Sequence, residues 1–458
     1  MIWFGSYALE IICLLHPDRI IVTRKDSPLV IGTAENENYI SSDIPAILSY
    51  TKNFYLLNDN EYVEVFNDSV KFYDRNLKPI QKDIKNIEWD ATSAEKCGYE
   101  DYMLKEINEQ PKSIRETVGS RLNNVSSLVN FDDINISKEY LNNLQKIYIV
   151  ACGTAMHAGL VGKTLIENLC NIPVEVDIAS EFRYRNPIIN DKTLAIFITQ
   201  SGETADTIAA LKLAKTRGAK TLAISNVVGS SITREADITV YTHAGPEIAV
   251  ASTKAYTSQV TLISLLAIHF SEILDSANHG LVRELKDDIL NLPNNVKNIL
   301  ENTEEIREFA NKVYLEKDMF FLGRLLDYSV SLEGSLKLKE ISYVHSEAYA
   351  SGELKHGPIA LIEDGVTVIS IITNPLLVEK SISNIQEVIT RGAKTMVITN
   401  QDIKGKNYDF MLRIPSINPL LSPILSVIPL QLFAYYVSKA KGLDVDKPRN
   451  LAKSVTVE

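Results

Sequence analysis

The sequence predicts an α/β protein in which two similar domains, each a parallel sheet flanked by helices, follow a smaller region of short strands. A repeat is the first reason: TRGAKTLAISN at 216–226 recurs as TRGAKTMVITN at 390–400. An apolar strand precedes each copy at a similar interval, at 147–154 and at 319–324. The two copies of the repeat start at 216 and 390, and a spacing of this size is too long for a solenoid and fits a duplicated domain. The second reason is that short apolar runs alternate with helical patterns, which is typical of parallel sheets covered on both faces.

The elements of the two halves follow in the same order of strand, helix and strand. They are predicted at 194–198, 205–217 and 221–224, and again at 367–372, in a helical pattern through 391, and at 395–399. Before them, short runs such as RIIVTR and YVEVF, separated by Asn, Asp and Gly, predict strands joined by turns. Residues 102–122 read as a helical linker. The predicted domains are 1–95, 140–290 and 291–458, with the linker region at 96–139.

Composition and charge exclude several classes of function. Of 458 residues, 45% are hydrophobic and 23% are charged, as in ordinary globular proteins. Because 58 acidic residues outweigh 47 basic ones, nucleic acid is not an expected partner. The four cysteines form no CxxC pair, which argues against a zinc site or a disulfide framework and favours the cytoplasm. The uncharged stretch 414–438 is long enough to span a membrane, but its four prolines favour a buried loop and helix.

The segment ITQSGETADT at 198–207 predicts an anion site, because it follows an apolar strand and opens a helix. Ser201, Gly202 and Thr204 place hydroxyls and free backbone N–H groups at the helix N-terminus, and Thr199 and Gln200 can donate further. A helix cap that uses a single hydroxyl is the alternative interpretation. The segment AVASTKAYTSQ at 249–259 is a second loop of this kind, which presents Ser252 before a long apolar helix.

Three further segments carry candidates for proton transfer and nucleophilic attack. Lys337 and Glu340 share one face of a predicted helix, where they form either a general base with a cationic helper or a surface salt bridge. His356 lies in the loop GELKHGP and serves either proton transfer or only contact with solvent. Apolar residues in the tail DVDKPRNLAKSVTVE could desolvate Lys453 and lower its pKa for attack on a carbonyl, or the lysine stays charged in water.

Taken together, these motifs resemble a known family. ACGT, SEFRYR, TQSGETADT, ASTKAYTSQ, EGSLKLKEISY, GELKHGP and DKPRNLAKSVTVE occur in the order seen in the isomerizing glutamine–fructose-6-phosphate aminotransferases, or glucosamine-6-phosphate synthases. The resemblance implies two tandem SIS (sugar isomerase) domains after a partial N-terminal glutaminase segment with an α+β sandwich fold. It also implies synthesis of glucosamine 6-phosphate from fructose 6-phosphate, the first step toward UDP-N-acetylglucosamine, with no metal or organic cofactor.

The resemblance also implies roles for individual residues. Glu340 would move a proton between C1 and C2, Lys337 would assist at the neighbouring oxygen, and Lys453 would engage the open-chain ketose as an imine. His356 would open the sugar ring from the neighbouring subunit, which implies a homodimer with a shared site. The residues expected to contact the sugar phosphate are Thr199 (where serine is usual), Gln200, Ser201, Thr204, Ser252 and Ala452.

Several positions depart from the family pattern. Ala155 replaces a serine, Leu325 replaces a glycine, and Ser329 stands where proline is common. The N-terminal nucleophilic cysteine motif of the glutaminase domain is not found, so we expect an isomerase half without a glutaminase nucleophile. Glutamine or free ammonia would then be the nitrogen source. Alternatives from other classes are an SIS-type fructosamine-6-phosphate deglycase and a non-catalytic regulator that binds sugar phosphates.

Overall fold

The N-terminal region forms two antiparallel sheets that pack face to face. The computed structural model describes residues 7–25, 27–42, 44–87, 95–122, 128–132, 134–403 and 408–456. Val22 and Val63 of one sheet share a buried cluster with Ile31 of the other. The first sheet has the order β1-β2-β6-β7-β8 and the second the order β4-β3-β5-β9. The strands are β1 Tyr7–Cys13, β2 His16–Lys25, β3 Val30–Ala34, β4 Glu37–Ser41, β5 Asn53–Leu56, β6 Tyr62–Val65, β7 Val70–Tyr73, β8 Pro79–Ile80 and β9 Lys85–Asn86.

Short helices connect this region to the rest of the chain. They are α1 Tyr102–Asn108, α2 Gln110–Val118 and α3 Lys138–Asn143. The carboxylate of Asp446, near the other end of the chain, accepts hydrogen bonds from the N–H groups of Tyr102 and Met103 at 2.9 and 2.8 Å. The linker is therefore anchored to the C-terminal segment at its first helical turn.

The first α/β domain is a five-stranded parallel sheet with the order β11-β10-β12-β13-β14. Every residue of its central strand is buried, as expected for a sheet covered on both faces. Its strands are β10 Lys146–Ala151, β11 Val174–Ile178, β12 Thr193–Ile198, β13 Lys220–Ser225 and β14 Ile238–Tyr241. Its helices are α4 Gly153–Cys170, α5 Ala179–Phe182, α6 Ala205–Thr216, α7 Ser231–Glu235 and α8 Lys254–Leu274.

The second α/β domain repeats the same strand order in a parallel sheet, β16-β15-β17-β18-β19. Its strands are β15 Asp318–Gly323, β16 His345–Ala350, β17 Thr367–Ile372, β18 Lys394–Thr399 and β19 Phe410–Arg413. Its helices, with those that lead into it, are α9 His279–Leu300, α10 Glu304–Val313, α11 Leu326–Ser342, α12 Val378–Ile389 and α13 Ser422–Ala440. The predicted fold class of two duplicated α/β domains is confirmed.

One continuous apolar core joins the two domains, and its longest helices are buried. Helix α8 is long and apolar enough to cross a membrane, but most of its residues are buried inside the protein. The uncharged stretch 414–438 forms a partly buried loop and most of the buried helix α13, so the predicted buried helix is confirmed. Both helices therefore belong to the interior of the folded chain. In each sheet the carboxyl ends of the first and third strands flank the point where the strand order reverses, which is where open α/β sheets bind ligands.

Candidate active site

The segment 199–204 forms a tight loop between β12 and α6. The Thr199 hydroxyl accepts a hydrogen bond from the N–H of Gly202 at 3.1 Å, and the Ser201 hydroxyl accepts one from the N–H of Glu203 at 3.2 Å. Gly202 has a φ of 69°, which glycine adopts without strain, and a Cβ at this position would lie 2.0 Å from the Ser230 hydroxyl. Thr204 makes no side-chain cap to α6, so the loop is not a simple hydroxyl-capped helix start.

The C-terminal tail lies against this loop. The N–H of Ala205, the first residue of α6, donates to the carbonyl of Val455 at 3.1 Å. Two residues earlier, the Lys453 amine donates to the Glu247 carboxylate at 2.6 Å and to the Ala249 carbonyl at 2.8 Å. The side chain of Lys453 is 23% exposed. Its amine thus contacts a carboxylate and a carbonyl, and not the apolar surroundings that the sequence led us to expect.

Glu247 is the centre of the polar contacts around Lys453. It is fully buried and also accepts hydrogen bonds from the Ser252 hydroxyl at 2.9 Å and from the N–H groups of Thr253 and Ala255 at 2.9 and 3.0 Å. Burial alone would raise the pKa of Glu247, but the charge and hydrogen bond of Lys453 and these backbone donors lower it to about 2. Glu247 is therefore ionised near neutral pH and holds both the amine and Ser252.

A second polar cluster on α11 contains the predicted base. The Lys337 amine lies 2.5 Å from Glu340 and 3.5 Å from Glu333, and it donates to the Thr154 hydroxyl at 2.9 Å. Glu333 in turn lies 2.7 Å from Nδ1 of His157 and accepts from Thr154 at 3.1 Å. Lys337 and Glu333 are fully buried, whereas Glu340 is 22% exposed. This arrangement excludes the surface salt bridge considered from the sequence, because the lysine has no contact with solvent.

A charge interaction links the two clusters. Burial would lower the pKa of Lys337, but the charges of Glu340, Glu333 and, from the Lys453 cluster, Glu247 raise it. The Lys337 ammonium thus lies between two carboxylates of α11 and contacts the first domain through the Thr154 hydroxyl. The ammonium can neutralise negative charge that develops on a bound substrate, and the carboxylate of Glu340 beside it is 22% exposed and so within reach of such a substrate.

The structure brings together most, but not all, of the predicted site residues. The loop at 199–204, Ser252, Lys337, Glu340 and Lys453 lie in the two clusters and the tail contact described above. Ala452 is exposed beside Lys453. His356 ends a short 3₁₀ helix, Ser351–His356, in the second domain, and its side chain is exposed. Its predicted role on the neighbouring subunit stays a prediction.

Sequence reasoning missed three residues of the site. Glu333 precedes Lys337 by one helical turn, so the helix face that suggested Lys337 and Glu340 could also have suggested it. His157 lies in the second turn of α4, three residues after the end of the ACGT segment. Glu247 lies five residues before Ser252 in a segment without regular structure, and no spacing rule points to it. Among the described residues, no group of three or more His, Cys, Asp or Glu side chains could hold a metal ion.

Leu325 lies at a turn that is equivalent to the turn of Gly153 in the first domain. Gly153, after β10, has a φ of 53°, and Leu325, after β15, also has a φ of 53° with a ψ of −121°. Leucine rarely adopts this conformation, whereas glycine does so readily. Ala155 is buried in the first turn of α4. Leu325 therefore strains the turn in the second domain, and Ala155 provides no hydroxyl beside Thr154.

Comparisons with known proteins match the whole chain. The SIS domain family matches residues 140–269 and 312–439. The isomerizing glutamine–fructose-6-phosphate aminotransferases of Clostridium perfringens and Clostridium tetani are each 56% identical to the chain, and each comparison covers 99% of this chain and 75% of the relative. The chain thus spans about three quarters of their length.

Solved structures share the fold of the two α/β domains. The C-terminal domain of glucosamine-fructose-6-phosphate aminotransferase from Francisella tularensis is 37% identical, with a TM-score of 0.74 over 77% of this chain and 100% of that chain. Glucosamine-6-phosphate deaminase from Thermotoga maritima is 22% identical, with a TM-score of 0.59 over 78% of this chain and 99% of that chain. At that lower identity, the likeness shows the fold alone.

Proposed function

Because the chain belongs to the family of isomerizing glutamine–fructose-6-phosphate aminotransferases, we propose that it converts fructose 6-phosphate and a nitrogen donor into glucosamine 6-phosphate. The observation that carries this proposal is the convergence of three segments. The tail that carries the Lys453 amine contacts the start of α6 after the hydroxyl-rich loop, and the charge of Glu247, which binds that amine, acts on Lys337 of the Lys337–Glu340 pair. A ketose phosphate needs these three functions: anion binding, carbonyl capture and proton transfer.

The loop at 199–204 binds the phosphate in this proposal. Thr204 has a hydroxyl that is not used as a helix cap, and the positive end of α6 favours an anion next to it. Gln200 and Ser201 supply further polar groups on the same loop. Ser252 and Ala452 contact the sugar, with Ser252 oriented by its hydrogen bond to Glu247. The phosphate thus anchors the substrate beside the tail that carries Lys453.

Lys453 and Glu340 carry the chemistry in this proposal. The Lys453 amine attacks C2 of the open-chain ketose, and the C2 oxygen leaves as water to give an imine. Ammonia then adds at C2 and the Lys453 amine leaves, which gives the ketimine of the sugar and frees the lysine. Glu340 removes a proton from C1 and returns it to C2, and the O1 proton passes to the nitrogen as C1 becomes an aldehyde, while the buried Lys337 ammonium stabilises the negative charge that develops on O1. His356, exposed on its 3₁₀ helix, opens the sugar ring in the site of a second copy of the chain.

The nitrogen donor is proposed to be free ammonia or ammonia from glutamine. Among the cysteines, burial raises the pKa of the Cys152 thiol and raises that of Cys170 to about 12, so neither is an activated nucleophile. Because no cysteine of these 458 residues lies in a glutaminase nucleophile motif, we expect them to use ammonium. We place the reaction in the cytoplasm, in keeping with the sparse and unpaired cysteines.

The test is product formation with each nitrogen source. The purified chain is incubated with fructose 6-phosphate and ¹⁵N-ammonium, or with amide-labelled glutamine, and hexosamine phosphate is measured by mass spectrometry. We expect labelled glucosamine 6-phosphate with ammonium and none with glutamine alone. A chain that binds fructose 6-phosphate but makes no amino sugar from either source would contradict the proposed function.

A further inference from the structure

The linker helix α1 contacts the backbone that holds the Lys453 amine. Glu106 of α1 is almost fully buried, and its Oε1 accepts hydrogen bonds from the N–H groups of Ile248 and Ala249, the latter at 3.2 Å. The carbonyl of Ala249 is one of the two acceptors for the Lys453 amine. The backbone of residues 248–249 therefore binds Glu106 through its N–H groups and Lys453 through the Ala249 carbonyl.

The other acceptor of the Lys453 amine is fixed by the same segment. Glu247 directly precedes Ile248, so the backbone that Glu106 binds also sets the position of the Glu247 carboxylate. The next residue, Val250, donates its N–H to the carbonyl of Asp446 at 3.0 Å, and Asp446 caps α1. Residues 247–250 are thus bound to both the linker helix and the C-terminal segment that leads to Lys453.

Several charged groups surround this contact. Glu106 interacts with the charges of Glu247, Lys254 and Lys453. Within the described residues, the second carboxylate oxygen of Glu106 is buried and has no hydrogen-bond partner. Only one of its two oxygens is therefore used, and that oxygen serves two backbone N–H groups. A neutral acceptor of the same length could do the same.

We propose that Glu106 is a positioning residue for imine formation: it fixes residues 247–249 so that Glu247 and the Ala249 carbonyl hold the Lys453 amine beside the phosphate loop. The inference rests on the proposed function, since it concerns the rate at which Lys453 captures the ketose. Glu106 itself makes no contact with substrate in this account. What matters is the length of its side chain and its acceptor oxygen, and not its charge.

Two substitutions of Glu106 separate the effect of side-chain length from that of the carboxyl group. Glu106→Gln keeps the length and the acceptor oxygen but removes the ionisable carboxyl group. Glu106→Asp keeps the carboxyl group but is one methylene too short to reach both N–H groups. The matched control is Glu116→Asp on α2, where the side chain is 45% exposed. Each full-length variant is incubated with fructose 6-phosphate and borohydride, and the reduced adduct on Lys453 is followed by mass spectrometry, together with fructose 6-phosphate binding and the melting temperature.

We expect Glu106→Gln and the control to trap the adduct at the wild-type rate. Glu106→Asp should slow trapping by about tenfold or more while substrate binding stays unchanged, because small displacements of a reacting group have effects of this size. Trapping by a folded Glu106→Asp variant at the wild-type rate, or slow trapping by Glu106→Gln, would overturn the inference. A wild-type chain that forms no adduct on Lys453 would instead refute the role of Lys453 in the proposed function, and with it this inference.

Discussion

Leu325 adopts a backbone conformation that ordinarily belongs to glycine. Its side chain is 67% exposed, so it gains little from burial that could offset the strain of φ 53° and ψ −121°. The equivalent turn of the first domain carries Gly153 with the same φ. Strained conformations of this kind cost on the order of 1–3 kcal/mol. Gly153 in the first domain thus shows the turn without strain, and Leu325 in the second domain can be compared with it.

We expect Leu325→Gly to stabilise the protein by about 1 kcal/mol, because relief of strain exceeds the added chain entropy of glycine in the unfolded state. The measurement is urea-induced unfolding of both proteins. Leu376→Gly is the matched control, since Leu376 is 87% exposed but is not among the residues with positive φ. That control should lower stability slightly. An unchanged or lower stability of Leu325→Gly would contradict the strain assigned to this turn.

A second prediction at the residue scale concerns the pH dependence of stability that arises from the carboxyl group of Glu106. Burial, followed by the charge of Glu247, raises the pKa of Glu106 to about 8 in the folded protein. Between its ordinary pKa and about 8, the folded state holds a proton that the unfolded state has released. This group therefore makes stability fall as pH rises through that window.

Glu106→Gln removes the titrating proton, so we expect its stability to fall less between pH 5 and 8 than that of the wild type. Melting temperatures measured across this range test the prediction. The wild type and Glu106→Gln should converge toward the acid end and separate toward pH 8, with the variant more stable. Parallel curves would show that Glu106 titrates normally.

At the scale of elements, the loop before α6 is the phosphate site that we propose for the first domain. Thr204 makes no side-chain cap, whereas the Ser201 hydroxyl is already used to accept the N–H of Glu203. A Thr204 substitution should therefore affect ligand binding without a comparable loss of stability. This distinguishes a binding residue from a helix cap.

We expect Thr204→Ala and Ser201→Ala each to raise the KM for fructose 6-phosphate by about tenfold, since each removes a hydrogen bond to a charged group. Only Ser201→Ala should also lower the melting temperature. Thr216→Ala, at the other end of α6, is the control, because its hydroxyl bonds only the Leu213 carbonyl. Unchanged KM values for both loop variants would show that the loop does not bind the phosphate and is only a structural turn.

The sequence predicted the elements better than the side-chain clusters they carry. The repeat and the apolar runs located strands such as Thr367–Ile372, because buried parallel strands are continuous apolar segments. The loop at 199–204 was located by its place between a strand and a helix. Glu247 and His157 were not found, because their contacts with Lys453 and Glu333 depend on how distant segments pack. The strand pattern contains no information about that packing.

At the scale of the whole molecule, the exposure of His356 contrasts with the burial of Lys337. If His356 completes the site of a second copy, then two inactive chains can complement each other. Mixing Glu340→Gln and His356→Ala chains should restore part of the isomerase activity, because one site of the mixed dimer then carries both wild-type residues. Activity is measured after unfolding and refolding the chains together, with each variant alone as control. A mixture that stays inactive at every ratio would refute the shared site.

The central claim is that Glu340, Lys337 and Lys453 form a proton-transfer site for a ketose phosphate. The most direct measurement is the formation of glucose 6-phosphate from fructose 6-phosphate in the absence of any nitrogen donor. The wild-type chain should catalyse this isomerisation, and Glu340→Gln should slow it by about 10²–10⁴-fold, as expected for loss of a general base, with substrate binding retained. A folded wild-type chain that binds fructose 6-phosphate without isomerising it, or a Glu340→Gln chain that is fully active, would contradict the account.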